Sequence, residues 1–534
     1  MKKKKALATM LAAVMALGMT ACGSTNTTSS STSSTDTTST NSKDNTSSSS
    51  AAQTTADEGD PYEVVLEWPA IGNTPTEENL QKIEAAINEV TVPEINCTVK
   101  LYPVELNDLS NANTLAISTG EKVDLIVSVN TGVGTLVDQG LIVPMDEYVD
   151  TYGADIQQKL GDALSNGIYQ NQLYGVSNAY IQAESYGFIA RADLLDAAGV
   201  EIDESKVYTL DELSDILDTV AATQQVGNGF YMVANINSTS DIYTSFFGTV
   251  DALGASTASG GLLLTDGYDN TTIENIYASD AYADYAKTMY DWAQKGYIPA
   301  DAASNTDDGQ VQLKTGNYFG EFYWTTPGGA AGIGANVGYD FKNIHLAEPY
   351  KKTSQSILWS IPTTSENPQK AFEFLNLLYG DNNIDDTLMF GLEGETYQVV
   401  EDNGTDRIVK FIDGIDAASA PYYCYAGVYG DRLTWSIWEP NTIDFNQQLR
   451  DFNDTITAAS PALGYSFEIT DDISSAYSAV SAVVKQYTPT ISAGAADPDT
   501  YLPQFIQDLE TAGINDVIAE NQKQFDAWRA SETV

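Results

Sequence analysis

Residues 62–68, Tyr-Glu-Val-Val-Leu-Glu-Trp, carry the apolar run of a strand, and Ile71-Gly72-Asn73 marks a turn after it. Thr74-Pro75-Thr76-Glu77 then supplies a helix start, with an N-cap, a proline at the first helical position and a capping glutamate. Leu80, Ile83, Ile87 and Val90 continue at helical spacing. A second strand, residues 97–102, follows Pro93, and a further helical stretch leads to Val123-Asp124-Leu125-Ile126-Val127-Ser128-Val129. Strand, helix, strand, helix and a continuous apolar third strand predict an α/β fold around a buried, mostly parallel sheet. Ligands of such sheets sit beyond the carboxyl ends of the strands, which here puts Trp68 and Asn130 forward as site residues.

Farther on, two extended runs, residues 172–180 and 185–195, flank Ile181-Gln182-Ala183-Glu184. Thr209-Leu210-Asp211-Glu212 is a capping box, with Leu213, Ile216, Leu217 and Val220 on one helical face behind it. Toward the C-terminus, residues 451–459 and 473–484 read as helical, and residues 505–528 as one long helix.

The N-terminal stretch says where this body works. Lys2 to Lys5 precede an apolar run ending at Leu17, too short for an ordinary membrane span and patterned as a secretory signal, residues 1–21. Met19-Thr20-Ala21-Cys22 resembles the lipobox of bacterial lipoproteins, with Met19 where leucine is usual, which implies that Cys22 is acylated and anchors the mature chain. Residues 23–56 hold no aromatic or large aliphatic side chain, so they have nothing to bury; residues 22–58 read as a disordered tether between anchor and body.

Charge narrows the partners. With 25 basic and 74 acidic residues the formal net charge is −49, which excludes nucleic-acid backbones and anionic membrane surfaces as expected partners and favours a neutral or cationic ligand. Of three cysteines, Cys22 is committed to lipid; Cys97 and Cys424 are expected as buried thiols, a disulfide being the alternative.

The order of these segments, with L-Y-G-V-S (residues 173–177) before the crossover and F-I-A-R-A-D-L-L-D-A-A-G-V (residues 188–200) after it, resembles the extracellular solute-binding proteins of bacterial sugar ABC importers. Gly316-Asn317-Tyr318-Phe319-Gly320-Glu321-Phe322-Tyr323-Trp324, residues 366–378 and Gly391-Leu392-Glu393-Gly394-Glu395-Thr396-Tyr397 extend the likeness to the larger oligosaccharide-type lipoproteins of Gram-positive bacteria. The resemblance implies a two-lobed α/β, periplasmic-binding-protein-like (type II) fold with hinge crossings near residues 177–183 and 346–360. Lobe 1 is expected from residues 59–180 plus about 346–385, and lobe 2 from 181–345. A mainly helical C-terminal region, 386–534, is expected to complete lobe 2 and pack on both lobes. It also implies an oligosaccharide ligand, ABC permease subunits as membrane partners, a monomer on the outer face of the cell membrane, and no cofactor or metal.

Sugars present hydroxyl rims and C–H faces, so their sites combine aromatic platforms with carboxylates and amides. By the resemblance Trp324 occupies the place of a stacking tryptophan. Trp68, Asn130, Glu184 and Tyr186 lie at strand ends or beside the crossover, and Trp435 and Trp438 sit in a dense aromatic region. Competing chemistries find less support. The single histidine, His345, has no G-x-S-x-G elbow and reads as structural. Residues 381–386 begin like a calcium loop, but Asp386 stands where glycine is required and Leu392 where the bidentate glutamate belongs. A surface glycosidase using paired carboxylates, a peptide importer component and an adhesin remain the alternatives.

Overall fold

The computed structural model describes residues 59–70, 75–129, 131–183, 185–253, 256–264, 267–353, 357–380, 384–424 and 427–532. Cys22 with its tether, Asn130, Glu184 and the first three residues of the 381–386 loop lie outside the described residues.

Two four-stranded sheets organise the described residues. In the first, the order is Ile357–Ser360, Leu125–Val129, Tyr62–Ala70, Cys97–Glu105. Tyr62–Ala70 runs parallel to both of its neighbours, whereas Ile357–Ser360 joins antiparallel, with Ile357 opposite Val129. The helix between the first two strands, Glu77–Ile95, starts two residues later than expected. Thr76 is its N-cap, accepting from the Asn79 N–H at 3.3 Å, so Pro75 lies outside the helix. Pro93 falls inside its last turns, because Asn96 in the left-handed conformation (φ 51°) ties the chain end to the Thr91 and Val92 carbonyls before the next strand begins.

In the second sheet the order is Phe341–His345, Tyr186–Arg191, Tyr318–Trp324, Tyr231–Ala234. Tyr318–Trp324 is antiparallel to Tyr186–Arg191 and parallel to Tyr231–Ala234. Gly320 is required in it: a Cβ there would stand 2.1 Å from the Ile189 carbonyl oxygen.

The C-terminal part divides differently from the expected boundary at residue 386. Leu388, Phe390, Val409, Tyr422, Tyr429 and Trp435 pack into the first sheet's core with Trp68 and Trp359, whose indole N–H donates to the Val428 carbonyl at 2.7 Å. These aromatics cover a sheet face that would otherwise be left open, which is why they belong with the first core. Farther on, Val480, Tyr487, Phe505, Leu509 and Ile514 enter the second core. The long helix expected over 505–528 is two, Pro498–Ala512 and Ile514–Glu532, broken at Gly513 with φ 101°. The helix expected over 451–459 is Phe445–Thr455.

Three segments connect the two cores, near residues 177–185, 346–357 and 441–462, and they are bonded to one another. The first is also paired with a stretch outside the three: Ala179 donates its N–H to the Gly430 carbonyl (2.8 Å) and receives one from Arg432 (2.9 Å). Lys351 pairs with Ala458 and Ser460, at 3.0 and 2.7 Å. The Asn453 amide grips the first crossing from both sides, donating to the Tyr180 carbonyl (2.9 Å) and accepting from the Gln182 N–H (2.8 Å). A side-chain amide thus takes the place of a neighbouring strand.

Cys97 and Cys424 are buried free thiols, with pKa pushed up by burial to about 11 and about 12. Both stay protonated and unreactive at neutral pH.

Candidate functional site

The register of the second sheet brings two expected site residues directly opposite each other: Trp324, at the end of its strand, faces Tyr186, at the start of the neighbouring one. Directly opposed residues of an antiparallel pair project to the same face. Trp324 is 42% exposed and is held edge-on by Phe246 at 6.1 Å. Tyr186 is buried, and its hydroxyl accepts from the Lys352 ammonium at 2.9 Å.

His345 fixes this end of the sheet. Its Nδ1 lies 2.8 Å from Thr325 Oγ1 and 3.1 Å from Ser185 Oγ, and the two hydroxyls are 2.9 Å apart. Thr325 follows Trp324, and Ser185 follows the first crossing, so one imidazole nitrogen ties the aromatic platform to the hinge. Burial lowers the His345 pKa against the opposing effect of Glu204 and Glu348, which keeps the ring neutral at neutral pH. Among the described residues both side-chain partners of this nitrogen are hydroxyls.

Beside this end lies a cavity of about 240 Å³ lined by residues 177–183 of the first crossing together with Lys159, Asn166, Lys352 and Arg432. A smaller recess of about 50 Å³ adjoins it, sharing Tyr180 and Arg432 and adding Trp435, Trp438 and Phe445. The Arg432 guanidinium stacks 3.7 Å over the Tyr180 ring and lies 5.3 Å from Trp435. The loop after Trp324 reaches this aromatic wall at Gly328 (φ 82°), where a Cβ would stand 2.5 Å from the Phe445 ring. Three cations line the larger cavity of a chain whose net charge is −49. Local lining and overall charge therefore have opposite signs, and N–H donors for ligand oxygens are concentrated where the crossing passes.

The expected site residues separate accordingly. Trp324 and Tyr186 share one sheet end, and Trp435 and Trp438 line the adjoining recess. Trp68 does not join them. It is a core residue with no exposed surface, its ring 6.0 Å from Tyr422 and 5.9 Å from Tyr429. Sequence reasoning missed Tyr180, Arg432 and Asn453. Tyr180 could have been found from its place in the crossing, whereas Arg432 and Asn453 reach the site through contacts some 250 residues distant in sequence, as in the Asn453 bond to Tyr180. The calcium-like stretch is no loop where it is described. Ile384–Phe390 is helical, and Asp386 is buried against Arg407 at 2.7 Å and the Ser436 N–H at 2.9 Å. Among the described residues no group of three or more metal-ligating acidic, histidine or cysteine side chains occurs.

Residues 78–383 match the model of the bacterial extracellular solute-binding protein family, more than half of the chain. The chain belongs to this family. Residues 461–530 of this solute-binding protein also match a domain of unknown function, DUF3502. A carbohydrate ABC transporter substrate-binding protein of Streptococcus pneumoniae is 24% identical over 98% of both chains. Among solved structures, the N-glycan transport solute binding protein NgtS of Streptococcus pneumoniae superposes with a TM-score of 0.74 at 22% identity, covering 88% of this chain and 100% of that one. The same relative in complex with Man5GlcNAc gives 0.64, over 89% of this chain and 100% of that one. An extracellular solute-binding protein from Bifidobacterium longum subsp. infantis gives 0.61 at 16% identity, covering 89% of this chain and 100% of that one. These likenesses fix the two-lobed α/β fold.

Proposed function

We propose that this solute-binding protein captures oligosaccharides outside the cell and delivers them to the membrane subunits of an ABC importer, as a monomer and without chemistry of its own. The observation that carries the reading is the exposed Trp324 ring, set opposite Tyr186, with the loop after it reaching at Gly328 the Phe445 ring of a recess walled by Tyr180, Arg432, Trp435 and Trp438. A ring face takes the C–H patch of a sugar while guanidinium, ammonium and amide groups take its oxygens. Ligand contacting walls contributed by both lobes adds interactions that exist only when they approach, and so shifts the lobes toward closure.

Titration calorimetry of Man5GlcNAc into the intact chain tests this. Saturable binding with no cleavage product by mass spectrometry is the expected result, and Trp324→Ala is expected to weaken it about tenfold, in line with the roughly 0.5–1.5 kcal/mol of an aromatic contact beyond its buried area. Hydrolysis of the glycan would replace the reading by the glycosidase alternative; unchanged affinity in the variant would remove Trp324 from the site.

Attachment through an acylated Cys22 belongs to the same proposal, supported by the signal-like residues 1–21 and the polar residues 23–56. Each acyl CH₂ contributes about 0.8 kcal/mol of membrane affinity, so two or more chains hold the protein stably. Cys22→Ala is expected to move the protein from the membrane to the soluble fraction; retention in the membrane fraction refutes the anchor.

A further inference from the structure

We propose that this protein carries a second carbohydrate site, distinct from the cavity at the crossing, whose far wall is the domain of unknown function at residues 461–530. The inference rests on the oligosaccharide reading above and extends it to a surface that reading does not use.

The site is a cavity of about 550 Å³, more than twice the 240 Å³ of the cavity at the crossing, and the two share no lining residue. Its size falls within the range typical of small-molecule sites. Between them run the crossing segments joined by Lys351 to Ala458 and Ser460 and by the Thr353 hydroxyl, which accepts from the Gly464 N–H at 2.7 Å.

One wall is a short hairpin, Ile168–Tyr169 paired with Gln172–Leu173. Its turn residues, Gln170 and Asn171, both have positive φ (50° and 61°), and both are exposed at the cavity rim. The opposite wall comes from residues 463–470 and the helix Ile514–Glu532. There Trp528 is half-buried, stacked on Phe525 (15° between planes, 5.9 Å) and tilted against Tyr465 at 5.6 Å. The ring is therefore held in place before any ligand arrives. Gln524 fixes the same wall, accepting from the Glu468 N–H and donating to the Glu468 carbonyl, each at 3.0 Å.

The lining chemistry selects the ligand class. Aromatic rings (Tyr169, Tyr465, Trp528) stand among amides, hydroxyls and the carboxylates of Glu468 and Glu520, the latter already accepting from Lys523 (2.8 Å) and Gln524 (3.2 Å), and no lysine or arginine lines the cavity. A carboxylate accepts from a pair of adjacent hydroxyls, amides both donate and accept, and the indole face takes a C–H patch. That combination suits an uncharged polyhydroxylated ligand and opposes an anionic one. The crossing cavity, with three cations and Tyr180 as its aromatic lining, has the complementary character. Because the hairpin residue Leu173 belongs to the first sheet's core, while Tyr465 and Phe525 of the opposite wall pack in a separate cluster with Leu253, Leu262 and Ile273, an occupant would bridge two separately packed parts of the chain at a place separate from Trp324.

Calorimetry with Man5GlcNAc and, separately, the neutral fructan kestose tests the site, using the intact chain at glycan concentrations up to the millimolar range. Two equivalents are expected for at least one of these glycans. Trp528→Ala is expected to weaken one event at least tenfold and leave the other unchanged, while Trp324→Ala does the reverse. Since Trp528 also packs on Phe525, Ser466→Trp, which fills the cavity without deleting a contact, is expected to abolish the same event in a fully folded protein. A single equivalent in the unaltered protein, or two equivalents surviving both Trp528→Ala and Ser466→Trp, overturns the second site alone. Absence of binding for both glycans overturns the oligosaccharide reading with it.

Discussion

Trp68→Ala is expected to lower the stability of the protein by about 3–5 kcal/mol, the usual cost of truncating a buried aromatic to alanine, while the folded fraction keeps its glycan affinity. The strand end looked like a place for a ligand platform. The parallel register that carries Tyr62–Ala70 along Cys97–Glu105 instead points this ring inward, where Tyr422 and Tyr429 close over it. It has no exposed surface, and its indole N–H finds no partner among the described residues. Trp68→Phe should cost less than half as much, because phenylalanine keeps most of the ring contact and removes the unpaired donor. Urea denaturation with both variants reads the difference, and calorimetry below the transition reads the affinity. A normal midpoint combined with lost binding would return Trp68 to the site.

What the chain made legible was the pattern within each segment. The alternation of strand and helix through Val129 and the Thr209–Glu212 capping box with both of its reciprocal bonds follow from local spacing and cap chemistry, and the structure has them. Less legible was which face each aromatic presents. Trp324 ends its strand and Trp68 lies two residues before the end of its own, yet Trp68 is buried and Trp324 42% exposed, because Leu388, Phe390, Tyr422, Tyr429 and Trp435 pack over the first sheet, and among the described residues no such cluster covers Trp324. Arg432 could not be placed for the same reason. Its position over Tyr180 depends on the Ala179 backbone pairing with Gly430 and Arg432, a contact across some 250 residues that no local pattern announces. Helix ends shifted where a residue did something other than its most common task. Pro75 precedes its helix, and Gly513 breaks a helix that periodicity alone would continue.

Net charge says little about the lining of a single cavity. A value of −49 describes the field at a distance, whereas the cavity at the crossing is lined by Lys159, Lys352 and Arg432. Lys159 is oriented by the buried Asp431 carboxylate at 2.7 Å, and Lys352 by the Tyr186 hydroxyl at 2.9 Å. The acidic surplus lies elsewhere, and part of it is buried at a cost, as Glu321 shows.

Glu321→Gln is expected to raise stability by an amount that grows as the pH rises from about 4.5 to 8, reaching on the order of a few kcal/mol, and then levels off. Glu321 lies in the same strand as Trp324, three residues earlier, but points into the second lobe against Gly309, where a Cβ would stand 1.6 Å from its Oε2. It is 1% exposed, and neither carboxylate oxygen finds a hydrogen-bond partner among the described residues. Burial first, and the neighbouring Asp308 carboxylate second, push its pKa up to about 8. The folded chain therefore holds a proton at pH 6 or 7 that the unfolded chain, titrating in the ordinary glutamate range, has already released. Protons bound in excess by the folded state make stability fall with rising pH, starting near the unfolded value and ending above the folded one; below about pH 4.5 both states are protonated and nothing is lost. Glutamine copies the neutral shape and does not titrate. The difference in unfolding free energy between the variant and the unaltered protein should therefore be near its minimum at pH 4.5 and widen steadily to pH 8, every other carboxylate cancelling in the subtraction. Urea denaturation of both proteins at intervals of one pH unit gives that difference. A constant offset across the range would mean that Glu321 is ionised in the folded protein, and that its two oxygens are solvated after all.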